Sequence, residues 1–422
     1  MLHPSENQLR YQNWEMGAFF HFGIRTFYEG HEDWDGREMP AAAFNPKALD
    51  CRQWIRTVRQ AGMRYAVLVC KHHDGFANWP SRSTDYSVAA SPWKNGAGDV
   101  VREFTDACRE YGMGVGLYYS PADAAGRRSR RSGKEYDDYF IRQITELLTG
   151  YGKIDILWFD GCGSEGHAYD WDRIVGEIRR LQPGVLIFNM GRPDFRWVGN
   201  EAGLSPAQCV NVADAAPFSM RDAREKRLPE PKWLPVECDV RMRDLHWFYS
   251  DADADTVKNV DELLGIYDYS VGRGGNLLVN FGPDRNGLLP EKDASRILEF
   301  GRELRRRFSH PLARTEDFRR EGGDLVFRPG KKILLDRAVL AEDIARGERV
   351  RSFRILVKPY PYGDGVTVWE GKNVGHKAIC TFPTVATEEV RVRVERSEGE
   401  PAFSGIGLFY TKAAEDGPAS GC

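Results

Sequence analysis

Apolar runs rich in β-branched and aromatic residues recur along most of the chain, each followed by a longer amphipathic stretch. They are Met16 to Ile24, Tyr65 to Lys71, Gly114 to Ser120, Ile154 to Asp160, Val185 to Met190, Pro235 to Val240 and Asn276 to Phe281. A continuous apolar run suits a strand covered on both faces, the condition of a parallel sheet wound with helices. Helices are predicted at about 47–61, 99–112, 134–151, 169–181, 255–272 and 290–308. No Gly-x-Gly-x-x-Gly turn opens the first of them, so the pattern fits a (β/α)8-like, TIM-type barrel better than an open dinucleotide-binding sheet. The barrel lacks a regular eighth strand in this reading.

After Pro311 the pattern shortens and alternates, as in Asp324–Arg328, Ser352–Val357, Val390–Val394 and Gly405–Tyr410. Alternation with frequent turn residues is the signature of an antiparallel β-sandwich. The chain therefore divides into a barrel over 1–310, a sandwich over 311–412 and a tail, 413–422, that reads as disordered.

Composition narrows the function classes. With 422 residues, 41% hydrophobic and 29% charged, the chain is that of a globular protein able to bury a large core. A net charge of −3 gives no footprint for nucleic acid and no polybasic membrane anchor. The one basic run, Arg127 to Arg131, reads as a solvated loop. Eight cysteines without a Cys-x-x-Cys pair or regular spacing argue against a zinc site and against a disulfide framework. No apolar stretch of about 18 residues and no secretory leader is visible, so the expected location is cytoplasmic.

Active sites of such barrels lie at the C-terminal ends of the strands. Here those ends read Phe20-His21-Phe22-Gly23, Lys71-His72-His73-Asp74-Gly75, Tyr118-Tyr119-Ser120 and Trp158-Phe159-Asp160-Gly161. A lone histidine after a strand is more often a core residue with a satisfied hydrogen bond, but three on neighbouring ends beside an aspartate weaken that reading. Asp160 is either a loop cap before Gly161 and Gly163 or a carboxylate placed among apolar neighbours for chemistry. A metal site of His21, His72, His73 and Asp160 is the rival to polar groups for sugar hydroxyls. Adjacent His72 and His73 on an extended segment point to opposite faces, which favours the sugar reading unless the strand has already ended. Glycoside hydrolysis needs a second carboxyl group, and Glu237, in Trp233-Leu-Pro-Val-Glu-Cys-Asp239, is the candidate, with a surface pairing to Arg241 or Arg243 as its alternative.

The stretches Met16-Gly-Ala-Phe-Phe-His-Phe-Gly23, Ala61 through Lys71-His-His-Asp-Gly-Phe76, Gly114-Val-Gly-Leu-Tyr-Tyr-Ser120 and Asp155-Ile-Leu-Trp-Phe-Asp-Gly161 resemble the α-L-fucosidases of glycoside hydrolase family 29. Pro235–Val240, Trp247-Phe-Tyr249 and Gly274–Pro283 are similar as well, and the resemblance covers roughly 11 to 305. It implies a retaining hydrolase that removes terminal α-L-fucose from a glycan or oligosaccharide, without metal or organic cofactor, through a glycosyl-enzyme intermediate between carboxyls about 5–5.5 Å apart. Asp160 falls on the family's nucleophile and Glu237 on its acid/base. His21, His72, His73, Tyr119 and Trp158 fall where the sugar is gripped, and Asp33 with Trp34 matches an acid–Trp pair in which Glu32 is the other claimant. Arg243 and Trp247 belong to the segment after Glu237. Phe22, Trp158 and Phe159 are candidates for the pocket of the fucose methyl. The alternatives are a fucose-binding protein with decayed catalysis and a hydrolase of another sugar on the same barrel.

Overall fold

The computed structural model describes the chain except residues 31, 34, 36, 124–130, 219–224, 361 and 413–422. The expected tail and most of the basic run, Arg127 to Arg130, lie outside the described residues.

Eight parallel strands form the barrel: β1 (Met16–Phe20), β2 (Tyr65–Lys71), β3 (Gly114–Tyr119), β4 (Ile156–Phe159), β5 (Leu186–Phe188), β6 (Arg196–Trp197), β9 (Val236–Arg241) and β10 (Asn276–Phe281). Between β6 and β9 lies an antiparallel hairpin of β7 (Val212–Pro217) and β8 (Glu225–Trp233). The hydrogen-bonded order is β5-β4-β3-β2-β1-β10-β9-β6, and a parallel bridge between Phe188 and Phe195 joins the two end strands into a ring. The eighth strand thus exists but is two residues long. No helix precedes it: the chain leaves β5 and turns back through Asn189, which takes a positive φ of 61°, a conformation asparagine tolerates because its short side chain bonds locally.

Helices α2 (Cys51–Ala61), α3 (Val100–Glu110), α4 (Gly133–Gly150), α5 (Trp171–Leu181), α6 (Val260–Tyr269) and α7 (Glu291–Phe308) cover the outside. Aspartates 50, 99 and 170 cap α2, α3 and α5 by accepting from the backbone N–H three residues on. A further helix, α1 (Glu6–Trp14), begins with a reciprocal Ser5–Gln8 capping box and carries Tyr11 into the barrel core. Its apolar face is short, and no helix is predicted there.

Strand alternation sorts the side chains into two layers. Ala18, Phe20, Leu68, Leu117, Phe159 and Val279 face the helices. Phe19, Tyr65, Val67, Val69, Tyr118, Ile156, Trp158, Phe188 and Leu278 fill the interior. Gly17 is required here, since a Cβ on it would lie 2.4 Å from the Tyr65 ring.

Beyond α7, a four-stranded sheet of β11 (Ala313–Arg314), β19 (Phe403–Phe409), β14 (Ile333–Glu342) and β17 (Ala378–Thr387) faces a five-stranded sheet of β12 (Arg319–Glu321), β13 (Asp324–Phe327), β18 (Glu389–Ser397), β15 (Val350–Lys358) and β16 (Val366–Gly371). Both are antiparallel, and they enclose a second core around Leu335, Phe353, Ile355 and Val392. Arg337 on β14 pairs with Asp268 of α6 at 2.8 Å, tying sandwich to barrel.

Arg243, expected near the sugar, is instead a structural cross-link. Its guanidinium bonds Asp293 at 3.0 Å and Asp253 at 3.3 Å, and both carboxylates are fully buried. The turn after β9 carries it away from the strand ends toward the start of α7. Replacing Arg243 by Met should cost about 3–5 kcal/mol in urea unfolding, because two buried carboxylates lose their cation; a loss below about 1 kcal/mol would show that the pair is not what holds this corner.

Candidate active site

At the C-terminal end of the strands the barrel opens into a recess of about 240 Å³. This is smaller than the roughly 300–1,000 Å³ of sites for drug-sized ligands and suits a single sugar ring.

Its first wall comes from the end of β2. The strand stops at Lys71, and the Gly75 amide closes a turn onto the His72 carbonyl at 3.0 Å, with Gly75 at a positive φ of 84°. Asp74 fixes the turn by accepting from the Phe76 amide at 2.7 Å and from the buried Arg25 at 2.9 Å. Because the chain is no longer extended, His72 and His73 both face the recess, their ring centroids 4.2 Å apart. The opposed orientation expected for adjacent strand residues does not hold here.

Hydrogen bonds set the histidine tautomers. Asn280 Nδ2 donates to the Trp247 carbonyl at 2.8 Å, which turns Asn280 Oδ1 toward His21 Nδ1 at 2.6 Å. His21 therefore donates from Nδ1 and keeps a bare Nε2. Ser120 Oγ donates to the Ala122 carbonyl and accepts from His73 Nδ1 at 2.6 Å, so Nε2 of His73 is bare too. Burial pushes both rings down to about 3, which keeps them neutral at physiological pH.

Asp160 follows β4 at the centre of the recess. Its Oδ1 accepts from the Cys162 amide at 2.8 Å, and its Oδ2 accepts from the Tyr118 hydroxyl at 2.8 Å and lies 3.5 Å from His73 Nε2. Burial raises its pKa to about 6, against the two hydrogen bonds that favour the charged form, with Glu165 adding a small push upward. Gly161 beside it admits close approach of another segment: a Cβ there would lie 2.3 Å from the Phe218 carbonyl oxygen.

Aromatic faces complete the walls. Trp158 stacks between Phe188 at 3.9 Å and Tyr118 at 5.4 Å, and Trp247 lies against His21 at 5.0 Å. Asp33 is in the recess and accepts from the Trp247 amide at 2.7 Å, whereas Glu32 is exposed and contributes its carbonyl to Arg25. Trp34 lies outside the described residues.

Two carboxyls that sequence reasoning missed also line the recess. Asp239 accepts from the Trp197 indole at 2.6 Å. Glu201 is half-buried on the segment after β6, and its pKa is raised by burial and by the charge of Asp160, against the pull of Arg241. The signal was Trp197-Val-Gly-Asn-Glu201, a carboxylate just past a strand too short to predict.

Two expected residues point elsewhere. Tyr119 faces outward, where its hydroxyl donates to Gln143 at 2.7 Å and its ring stacks on Phe140; the recess receives Tyr118, one residue earlier. Glu237 is sealed inside the barrel with no exposed surface, accepting from Tyr11, Tyr65 and the Trp158 indole, each at 2.7 Å. It lies two residues short of Asp239 on β9, one layer below the recess, and so does not reach a sugar there as the acid/base that the resemblance implied. Phe22 and Phe159 sit in the outer layer, which leaves Trp158 of the three methyl-pocket candidates.

A (β/α)8 barrel holding a buried carboxylate of raised pKa and a second carboxyl among neutral imidazoles and aromatic faces is the architecture of a glycoside hydrolase. The α-L-fucosidase family profile matches residues 3–307. Alpha-L-fucosidase 1 of Arabidopsis thaliana is 34% identical, covering 97% of this chain and 88% of its own. A solved glycoside hydrolase 29 family member from an unknown rumen bacterium superposes with a TM-score of 0.86 at 36% identity, over 99% of this chain and 79% of that one. A candidate α-L-fucosidase from Bacteroides thetaiotaomicron gives 0.87 at 34%, over 97% and 98%. The chain belongs to the α-L-fucosidase family, glycoside hydrolase family 29.

Tyr118→Phe removes a donor to the charged form of Asp160. The Asp160 pKa should therefore rise from about 6 by about one unit, read as the carboxyl 13C titration in NMR; an unchanged or lower pKa would show that the phenol does not hold the carboxylate.

Proposed function

We propose that this α-L-fucosidase acts with net retention on terminal fucose, with Asp160 as nucleophile and Glu201 as acid/base. The observation that carries the reading is the pairing itself: Asp160 and Glu201 line one sugar-sized recess and the Asp160 charge helps to raise the Glu201 pKa, while Glu237 is sealed below it.

In the first step Asp160 Oδ bonds to the anomeric carbon as the Glu201 proton passes to the departing glycosidic oxygen, which leaves as an alcohol. Glu201 must begin protonated, and burial beside a charged Asp160 favours that form. Once Asp160 is esterified its charge is gone, and the Glu201 pKa falls. Glu201 then takes a proton from water whose oxygen bonds to the anomeric carbon and releases Asp160. The bare Nε2 atoms of His21 and His73 accept from sugar hydroxyls, and Trp158 and Trp247 offer faces to the ring and its methyl group. A recess closed around one ring supports action at a chain end, on a fucosylated glycan or oligosaccharide.

Asp160→Gly should lose turnover of an aryl α-L-fucoside and recover with azide, giving β-fucosyl azide because azide enters from the vacated face. Glu201→Ala should lose about 10²–10⁴-fold on fucosyl oligosaccharides, lose less on aryl fucosides with good leaving groups, and give α-fucosyl azide. Full activity of Glu201→Ala on oligosaccharides, or β-L-fucose as the first product of the wild type by NMR, would sink these assignments. Activity should also fall on the acid side as Asp160 protonates, with its midpoint near pH 6 in the free enzyme; an acid limb below pH 4 would contradict the raised pKa of Asp160.

A further inference from the structure

Two features of the recess meet at one point. His72, His73 and Asp160 each offer a ligand atom within 4.8 Å of the others. The Ser120 bond fixes a bare lone pair on His73 Nε2, and this faces Asp160 Oδ2 at 3.5 Å. Two acceptors facing each other at that distance repel unless something positive or a donor lies between them. Zinc bonds of about 2.0–2.2 Å at tetrahedral angles place neighbouring ligand atoms roughly 3.3–3.5 Å apart, which matches the His73–Asp160 spacing.

We propose that His72, His73 and Asp160 form a site for a borderline-soft divalent cation such as Zn²⁺, which occupies the recess in place of the sugar and inhibits the enzyme reversibly. Two imidazoles and a carboxylate suit zinc, copper or nickel better than magnesium or calcium, which prefer oxygen donors. The supporting shell is already built. His73 Nδ1 is held by Ser120, and Asp160 is oriented by the Cys162 amide and the Tyr118 hydroxyl; such partners fix ring orientation and ligand basicity at metal sites. Three protein ligands leave a fourth position facing the cavity, open to water or a small anion. The turn stapled by Asp74 and Arg25 holds both imidazoles in place before any ion arrives. The inhibitory part rests on Asp160 serving the sugar as proposed above; the binding part does not.

Calorimetric titration of zinc chloride into the chelator-treated full chain tests it. One ion per chain should bind at a site lost in Asp160→Asn and in His73→Ala, and millimolar L-fucose should displace it from the wild type. Thermal melting checks that the variants fold, and the fucose competition needs no variant. Co²⁺ in the same site should give the intense visible bands of a low-coordinate centre, absent in Asp160→Asn. In kinetics on an aryl α-L-fucoside, zinc should raise KM with kcat unchanged, about twofold at a concentration equal to its Kd. Zinc uptake indifferent to both substitutions and to fucose, or no uptake, overturns the site. Uptake lost in the variants yet unaffected by fucose overturns the competition. A chain that binds zinc here but cleaves no fucoside would sink the catalytic roles and leave the metal site, whereas an active chain insensitive to zinc sinks the metal site alone.

Discussion

Side chains on a barrel strand alternate between the interior and the helices, and nearly every functional position in this protein follows from which side of that alternation it occupies. Phe19 and His21, Tyr118, Trp158 and Asp160, and Asp239 are on the inward register; Phe20, Tyr119, Phe159 and Val240 are on the outward one. The interior fills from the floor upward. Glu237 with Tyr11, Tyr65 and Trp158 forms a buried polar hub, and the Trp158 ring above it stacks on Tyr118, whose hydroxyl reaches Asp160. Floor and recess are therefore one connected packing unit, in which a carboxylate deep in the barrel orients the aromatic beside the one at the rim.

Chemistry begins where the alternation ends. The β2 strand stops one residue before its two histidines, and the turn that follows sends both into the recess. The same end effect places Asp160 beyond β4, where it accepts from the Cys162 backbone amide. Desolvation and hydrogen bonding act on Asp160 in opposite directions and leave its pKa near 6. The neutral imidazoles beside it add acceptors without adding charge.

Much of this is legible in the sequence, for physical reasons that differ by element. Long apolar runs and capped amphipathic helices report the barrel, because burial on two faces leaves a strong compositional mark. The strand ends report His21, His72, His73 and Asp160. Tyr119 in place of Tyr118 is a one-residue parity error, and no local signal separates two adjacent tyrosines at a strand end. Glu237 is an expectation that misses by depth: it lies on β9, whose Asp239 lines the recess, but its own carboxylate sits a layer below the rim. Glu201 itself follows a two-residue strand that no periodicity can mark, and Arg243 is drawn away by two buried aspartates, Asp253 in the loop that follows and Asp293 at the start of α7.

The central claim is that the Asp160 carboxylate, held by Tyr118 and Cys162, bonds covalently to the sugar. A 2-deoxy-2-fluoro-α-L-fucosyl fluoride slows release more than attack and accumulates the intermediate, so intact mass followed by peptide mapping reads the attachment site. One label per chain, on the Asp160 side chain, is the result predicted. Labelling of Glu201, Asp239 or Asp33, or steady turnover of the reagent with no labelled species at any time, would contradict it.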